Sequence, residues 1–212
     1  MQNLEILHCE NCIDGLSFAA LCFHLLDVEY SATLSNSSSC TEDLSSPVLK
    51  TVRAVTPPHP QLKALCIAQA QHAYFLKAKL AKLTNRAFAA LEICCSELYK
   101  EVNELAKACG NYFPKGLVKH FELQSNLALL GALHYQGLSY MEDEETNAGI
   151  LYRYGDLIDQ KIKETRALMQ SFRMEETDRL SAEETFKVVQ EDVRTFYRIY
   201  RIYVSTDASS HL

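Results

Sequence analysis

Apolar residues recur every three or four positions along most of the chain, which is the spacing of one face of an α-helix. Asp14 is a suitable N-cap for the first helical segment, and Ser181 opens an S-x-x-E capping box for the last. Long helices joined by short corners predict an all-α protein of antiparallel hairpins, packed as a bundle or a TPR-like superhelical stack. The six predicted segments cover about 14–30, 61–83, 85–109, 114–141, 148–172 and 181–203.

One long stretch, 34–60, interrupts this helical pattern. Its first part is rich in serine, and its end, Thr56 to Pro60, contains three prolines. Because proline disfavours helix in the residue before it, an extended break is expected here. We therefore predict one helical domain over 1–212, with 34–60 as a loop-rich insertion, since a chain of this length can bury one continuous core.

Composition and charge argue against several classes of protein. The 212 residues are 48% hydrophobic and 23% charged, with a formal net charge of −6, which argues against a nucleic-acid partner. No run approaches the roughly 20 apolar residues of a membrane span. The start, Met1 to Glu5, lacks the basic and apolar regions of a signal peptide, so a cytoplasmic protein is expected.

The cysteines offer the main candidate for chemistry. Eight are present, and without a signal peptide they indicate reduced thiols in place of a disulfide framework. His8, Cys9 and Cys12 form a CxxC beside a histidine, but zinc needs about four ligands and no second such pair exists. No catalytic residue, cofactor or metal site is predicted, and a thiol or zinc protein using these three residues is the alternative of another class. The remaining thiols in apolar helical stretches are expected to pack as small hydrophobic groups: Cys22, Cys66, Cys94, Cys95 and Cys109.

Two histidines, His72 and His134, fall on or beside core-facing stripes, where packed and hydrogen-bonded side chains are expected. The sequence has no glycine-rich phosphate loop and no nucleophile elbow. An enzyme is therefore not the function that the motifs favour.

Positive charge is concentrated in one part of the chain. Between Leu44 and Leu91 there are seven Lys and Arg residues and no acidic residue. Lys79, Lys82 and Arg86 are spaced three and four apart, which predicts that they share one helix face. Such a surface suits an acidic peptide or an anionic membrane, whereas the alternative is an ordinary solvated face in a protein that is acidic elsewhere.

An apolar pair lies near the corner between the third and fourth predicted helices. Leu117 and Phe121 are four residues apart and flank the inward stripe that begins at Leu123. They are expected either to close the end of the core or to form an exposed strip for a partner's amphipathic helix.

The string LCIAQAQHAYFLKA, from Leu65 to Ala78, resembles the central helix of the Bro-one domain, which occurs in Alix and related ESCRT adaptors. Segments that are similar to the helices around it follow in the family's order, so the resemblance covers about 14–163. The chain lacks the family's N-terminal portion with its small sheet and most of its C-terminal portion. Within the string, Gln69 and Gln71 are expected to hydrogen-bond across a buried helix interface, and Ala68 to allow close helix approach.

The resemblance implies a non-enzymatic adaptor that binds the C-terminal amphipathic helix of an ESCRT-III subunit in a hydrophobic concave groove. It also implies peripheral association with endosomal membranes, through contact with anionic lipid. The groove positions correspond to Leu117 and Phe121, while Val102 and Leu105 occupy the turn where the family has an aromatic residue. The alternatives are a signalling scaffold resembling rhophilin-type or fungal pH-response relatives, and a folded remnant without the ancestral activity. The basic flank of the expected groove consists of Lys79, Lys82 and Arg86.

Overall fold

The computed structural model describes residues 10–22, 59–110, 112–143 and 148–209. Within those ranges all regular structure is helical and no strand occurs, so the all-α prediction is confirmed. The helices are α1 (10–22), α2 (His59–Leu80), α3 (Asn85–Ala108), α4 (Lys115–Met141), α5 (Ala148–Gln170) and α6 (Glu176–Ser209).

The boundary between the predicted insertion and α2 is wrong by two residues. α2 begins at His59, and Pro60 lies in its first turn, where a missing N–H costs no helical hydrogen bond. The rest of the insertion, 34–58, lies outside the described residues. At its other end α2 ends at Leu80, because Lys82 takes a left-handed conformation with φ 55°. The Thr84 hydroxyl then caps α3 by accepting from the Ala87 N–H at 3.3 Å.

Both predicted N-caps are wrong. Asp14 lies inside α1, which already includes residue 10, and the predicted continuation beyond residue 22 lies outside the described residues. α6 begins at Glu176, so Ser181 is inside the helix and its carbonyl accepts from the Thr185 hydroxyl at 3.0 Å. The earlier start has a physical reason, since Glu176 and Asp178 place negative charge in the first turn.

Each helix from α2 to α6 packs against the next, and α4 also touches α6. This arrangement makes α4 a member of two three-helix groups. The first group, α4 to α6, is closed by large apolar side chains that are almost wholly buried. Its main members are Leu123, Leu130, Leu151, Ile158, Ile162, Phe186, Val189, Val193 and Phe196.

Within this group, α4 and α6 approach closely at a glycine and are also joined by a hydrogen bond. A Cβ at Gly137 would lie 2.7 Å from the Phe196 ring, so only glycine allows that ring to cover α4. The expectation of a packed, hydrogen-bonded His134 is confirmed, because the side chain is buried and its Nε2 lies 2.7 Å from Asp192 Oδ2.

The second group, α2 to α4, packs through alanines and aromatic rings. Ala64 and Ala68 of α2 meet Tyr99 and Val102 of α3 and Phe121 of α4. A neighbouring cluster contains Phe75, Ala78, Phe88, Cys95 and Ala128. Of the cysteines predicted to pack as small hydrophobic groups, Cys94 is exposed, so that prediction is wrong for it. No helix in the described part of the chain is long and apolar enough to span a membrane.

Candidate functional site

The described surface is indented between α2 and α4, which both pack on α3. Two adjoining cavities lie there, of about 340 Å³ and about 420 Å³. His72 of α2 and Gln124 of α4 line both cavities, so the two lie side by side. We call the two cavities together the trough.

The first part of the trough is the Tyr99 cavity. It has an aromatic floor and mixed apolar and amide walls, and its polar contact is between His120 Nε2 and Gln124 Nε2 at 3.3 Å. Leu117 lies at its edge with 38% of its surface exposed, whereas Phe121 is 3% exposed and closes the bottom. The lining residues are Leu65, Gln69, His72, Tyr99, Leu117, His120, Phe121 and Gln124.

The second part is the Glu92 cavity, where the N-terminal region of α6 adds a further wall. Glu92 of α3 is only 8% exposed and lines this cavity with Phe75 and Lys79 of α2. The apolar parts of the walls come from α2, α4 and the residues around the start of α6. Those residues are Phe75, Leu76, Leu123, Leu127, Ala128, Met174 and Ala182.

Burial changes the pKa of three groups that line the trough and of the neighbouring Cys95. It raises the pKa of Glu92 to about 7, and the charge of Lys79 only partly opposes this. Burial also raises the pKa of Tyr99 to about 12 and that of Cys95 to about 12, with the Glu92 charge adding to the second effect. The pKa of His72 is lowered by burial and by Lys79, so at neutral pH its imidazole is uncharged. The trough therefore offers neutral hydrogen-bonding groups and one carboxylate that titrates near pH 7.

The structure brings Leu117 and Phe121 together in the Tyr99 cavity. Phe121, however, belongs to the buried cluster of α2 to α4, so the prediction that it forms part of an exposed strip is wrong. Phe121 turns inward because the alanines of α2 leave space for a large ring. Val102 is completely buried in the same cluster and Leu105 is half-buried, so neither lines the trough. The aromatic residue of α3 that does line it is Tyr99.

The predicted basic helix face is wrong. Lys79 belongs to α2, Lys82 lies in the turn that follows, and Arg86 lies in the first turn of α3, because the helix breaks at Leu80. Only Lys79 of the three lines the trough, with its Nζ 4.8 Å from the centre of the Phe75 ring. Lys82 and Arg86 are exposed at the turn next to the Glu92 end.

The glutamines of the AQAQ string do not lie at a buried helix interface. Gln69 is exposed at the trough and Gln71 is half-buried, whereas Ala68 is fully buried, as expected. The buried glutamine is Gln61, whose Nε2 donates to the Leu105 carbonyl at 3.0 Å. The string therefore supplies one tight face to the core and one polar face to the trough.

The CxxC hypothesis stays a prediction, since His8 and Cys9 lie outside the described residues. Cys12 lies in α1 and is half-buried. Across the described ranges, no group of three or more His, Cys, Asp or Glu side chains could hold a metal ion.

Two trough residues were missed by sequence reasoning, and both carry a signal. Glu92 and Tyr99 fall on the same α3 stripe as Phe88 and Cys95, at steps of three and four. A carboxylate on an otherwise apolar stripe is unusual, because burying its charge is costly without a partner. That departure from the stripe is what could have identified the site.

Comparison of the chain with protein-family models, with curated proteins and with solved structures finds no match.

Proposed function

We propose that this chain is a non-enzymatic adaptor that binds the C-terminal amphipathic helix of an ESCRT-III subunit in the trough between α2 and α4. The observation that carries the proposal is the meeting of Leu117, Phe121 and Tyr99 in one cavity. That cavity is bordered by the AQAQ string of α2. A partner helix would place its apolar face on these side chains, which is the helix-in-groove mode of recognition.

The dimensions of the trough support a helical partner. From Leu65 to Lys79, α2 lines the trough over fifteen residues, whose first and last Cα atoms are about 21 Å apart at the rise of an α-helix. This length accommodates roughly four turns of a partner helix lying alongside α2. Exposed apolar side chains at the rim, Leu117 and Leu76, provide contacts that lose water on binding.

The exposed basic residues support contact with a membrane surface as part of the proposal. Lys82 and Arg86 are exposed at the α2–α3 turn, next to the Glu92 end of the trough. We place peripheral contact with anionic endosomal lipid at this turn, since each basic residue near such a surface contributes about 1 kcal/mol. Cytoplasmic localisation on endosomal membranes follows from the same proposal.

A fluorescence-polarisation titration against labelled C-terminal helices of ESCRT-III subunits tests the proposal. We expect saturable binding with a dissociation constant of the order of 10 µM, about −7 kcal/mol, which weakens with added salt through the basic flank. Leu117→Asp should weaken binding more than about tenfold, because it places a charge in the apolar contact.

The matched control is Leu157→Asp on α5, which changes an exposed leucine remote from the trough. Phe121→Asp is unsuitable, because a charge at a 3% exposed position would unfold the cluster. Absence of binding by the folded wild-type chain, or equal losses in the two leucine variants, would contradict the proposal.

A further inference from the structure

We infer that Glu92 forms a cation-recognising subsite on the floor of the trough, which receives one Lys or Arg side chain of the bound helix. The identity of the helix rests on the proposed function, whereas the chemistry of the subsite rests on the cavity itself. The subsite would determine which amphipathic helices the trough accepts.

The position of Glu92 is the first argument. Its side chain is more than nine-tenths buried, yet it lines a cavity of about 420 Å³. Gly131 of α4 leaves room for the carboxylate, since a Cβ there would lie 2.7 Å from Glu92 Oε1. Among the described residues no hydrogen bond to this carboxylate is found, and burial dominates its titration. A buried carboxylate of this kind is costly, and a ligand cation would remove that cost.

The neighbouring charges are the second argument. The titratable groups around Glu92 are His72, Lys79 and Asp178, which line the same cavity, and Cys95 of its own helix. Lys79 is the only cation lining the cavity in the described part of the chain. Its Nζ lies over the rings of Phe75 and Tyr135, at 4.8 and 5.7 Å from their centres.

The remaining groups do not neutralise Glu92. Asp178 carries the same charge as an ionised Glu92, and the pKa of His72 is lowered, which leaves its imidazole neutral. With Glu92 ionised, the cavity lining therefore has one more negative charge than positive charges.

The walls of the cavity fit the long side chains of basic residues. Leu76 and Leu127 line the same cavity as Glu92 and offer apolar surface, on which the methylene stem of Lys or Arg can pack while its charged end reaches the carboxylate. Hydrogen bonds between such a group and a carboxylate are among the strongest in proteins, because both partners are charged. A neutral polar side chain gains much less at this position.

A charge scan of the bound peptide tests the inference directly. Each Lys or Arg of a labelled ESCRT-III C-terminal helix is replaced by Met, and every peptide is titrated against the wild-type chain and Glu92→Gln. One replacement should weaken binding to the wild-type chain about tenfold, and have less than about twofold effect on Glu92→Gln.

The same position should show a pH signature. Binding of the unaltered peptide to the wild-type chain should tighten between about pH 6 and pH 8, because Glu92 ionises over this range. Glu92→Gln should lose that part of the pH dependence, while contributions from His72 and other groups remain. Helix bound with no basic position dependent on Glu92 would overturn the subsite and leave the proposed function intact.

A probe that needs no partner helix separates the two proposals. Titration of the full chain with n-butylammonium, followed by NMR, should shift signals of the Glu92 cavity, and Glu92→Gln should abolish those shifts. 1-Butanol has the same carbon chain without charge and should act equally on both proteins. The ammonium effect in a chain that binds no ESCRT-III helix would support the subsite and contradict only the proposed function. Equal responses to the two probes would overturn the subsite.

Discussion

The two three-helix groups that share α4 differ in whether all of their buried polar groups have hydrogen-bond partners. Between α4 and α6, His134 bonds Asp192 and the Thr165 hydroxyl donates to the Lys161 carbonyl, both at 2.7 Å. Between α2 and α4, the buried Ser96 hydroxyl donates to the Ser125 carbonyl at 3.0 Å, but Glu92 and the Gln61 Oε1 have no hydrogen-bond partner in the described part of the chain. The apolar packing also differs, because large aliphatic side chains and phenylalanines fill the first group, whereas alanines occur throughout the second.

This difference indicates a division of roles along the chain. A core with satisfied polar groups and large apolar residues contributes stability, because burial removes the most apolar surface from water there. A cavity-lined region with an unsatisfied carboxylate contributes less stability, and it is where we propose that the partner helix binds. The two groups can be tested separately, because one packs α4 against α5 and α6 and the other packs α4 with α2 and α3.

The largest expected effect is in the α4–α6 group. Phe186→Ala removes a completely buried ring and should lower the free energy of unfolding by about 3–5 kcal/mol. Urea denaturation measures the loss, with Val188→Ala, at a 58% exposed neighbour, as a control within about 0.5 kcal/mol of wild type. Similar losses of unfolding free energy for both variants would contradict the stabilising role of this group.

The next effect concerns the pH dependence of stability through Glu92. Its pKa is about 7 in the folded chain and near its ordinary value of 4.5 when unfolded. The folded state therefore binds more protons between these values, and stability falls as pH rises from 4.5 to about 7. The loss from this residue is roughly 3 kcal/mol, and Glu92→Gln should lack it.

Urea titrations at several pH values compare the two chains, since their difference isolates Glu92 from other titrating groups. Parallel stability curves for wild type and Glu92→Gln would contradict the buried, unpaired carboxylate.

Two glycines of α4 allow the groups to be compared, because a Cβ added at either one would make an equally short contact. A Cβ at Gly137 would meet the Phe196 ring at 2.7 Å, and one at Gly131 would meet Glu92 Oε1 at 2.7 Å. Gly137→Ala should cost about 1–3 kcal/mol, because a buried ring cannot move aside. Gly131→Ala should cost less, because the end of a flexible side chain can turn into the cavity. Thermal unfolding of both variants measures the contrast, and a larger loss for Gly131→Ala would reverse the comparison.

The smallest expected effect is the stability of Leu117→Asp. Leu117 is 38% exposed at the rim of the trough, so its free energy of unfolding should stay within about 0.5 kcal/mol of wild type. Circular dichroism during urea denaturation checks this. A loss comparable to that of Phe186→Ala would mean that Leu117 is a core residue, and its role in binding would then have no support.

Helical periodicity predicted the fold class and the limits of α3 closely, because regular apolar spacing is a local property of the chain. The start of α6 was missed, since its first turn is polar and stabilised by acidic residues in place of apolar contacts. The break after Leu80 depends on the left-handed Lys82, which spacing alone does not reveal.

For the site, spacing identified Leu117 and Phe121 as a pair and could not decide their burial. Whether Phe121 faces solvent depends on the size of the α2 residues opposite, which is a tertiary property. Glu92 and Tyr99 share a face of α3 with Phe88 and Cys95, but their exposure to a cavity depends on how far apart α2 and α4 lie on α3.

Methyl NMR of the full chain, titrated with an ESCRT-III C-terminal helix, tests most directly whether the trough is the binding surface. The bound helix should shift the methyl signals of Leu65, Leu117 and Leu127, which line the trough. Signals of Leu157 and Ile202, which are exposed away from the trough, should stay in place. Shifts confined to Leu157 and Ile202, or no shifts at all, would mean that the trough is not the binding surface.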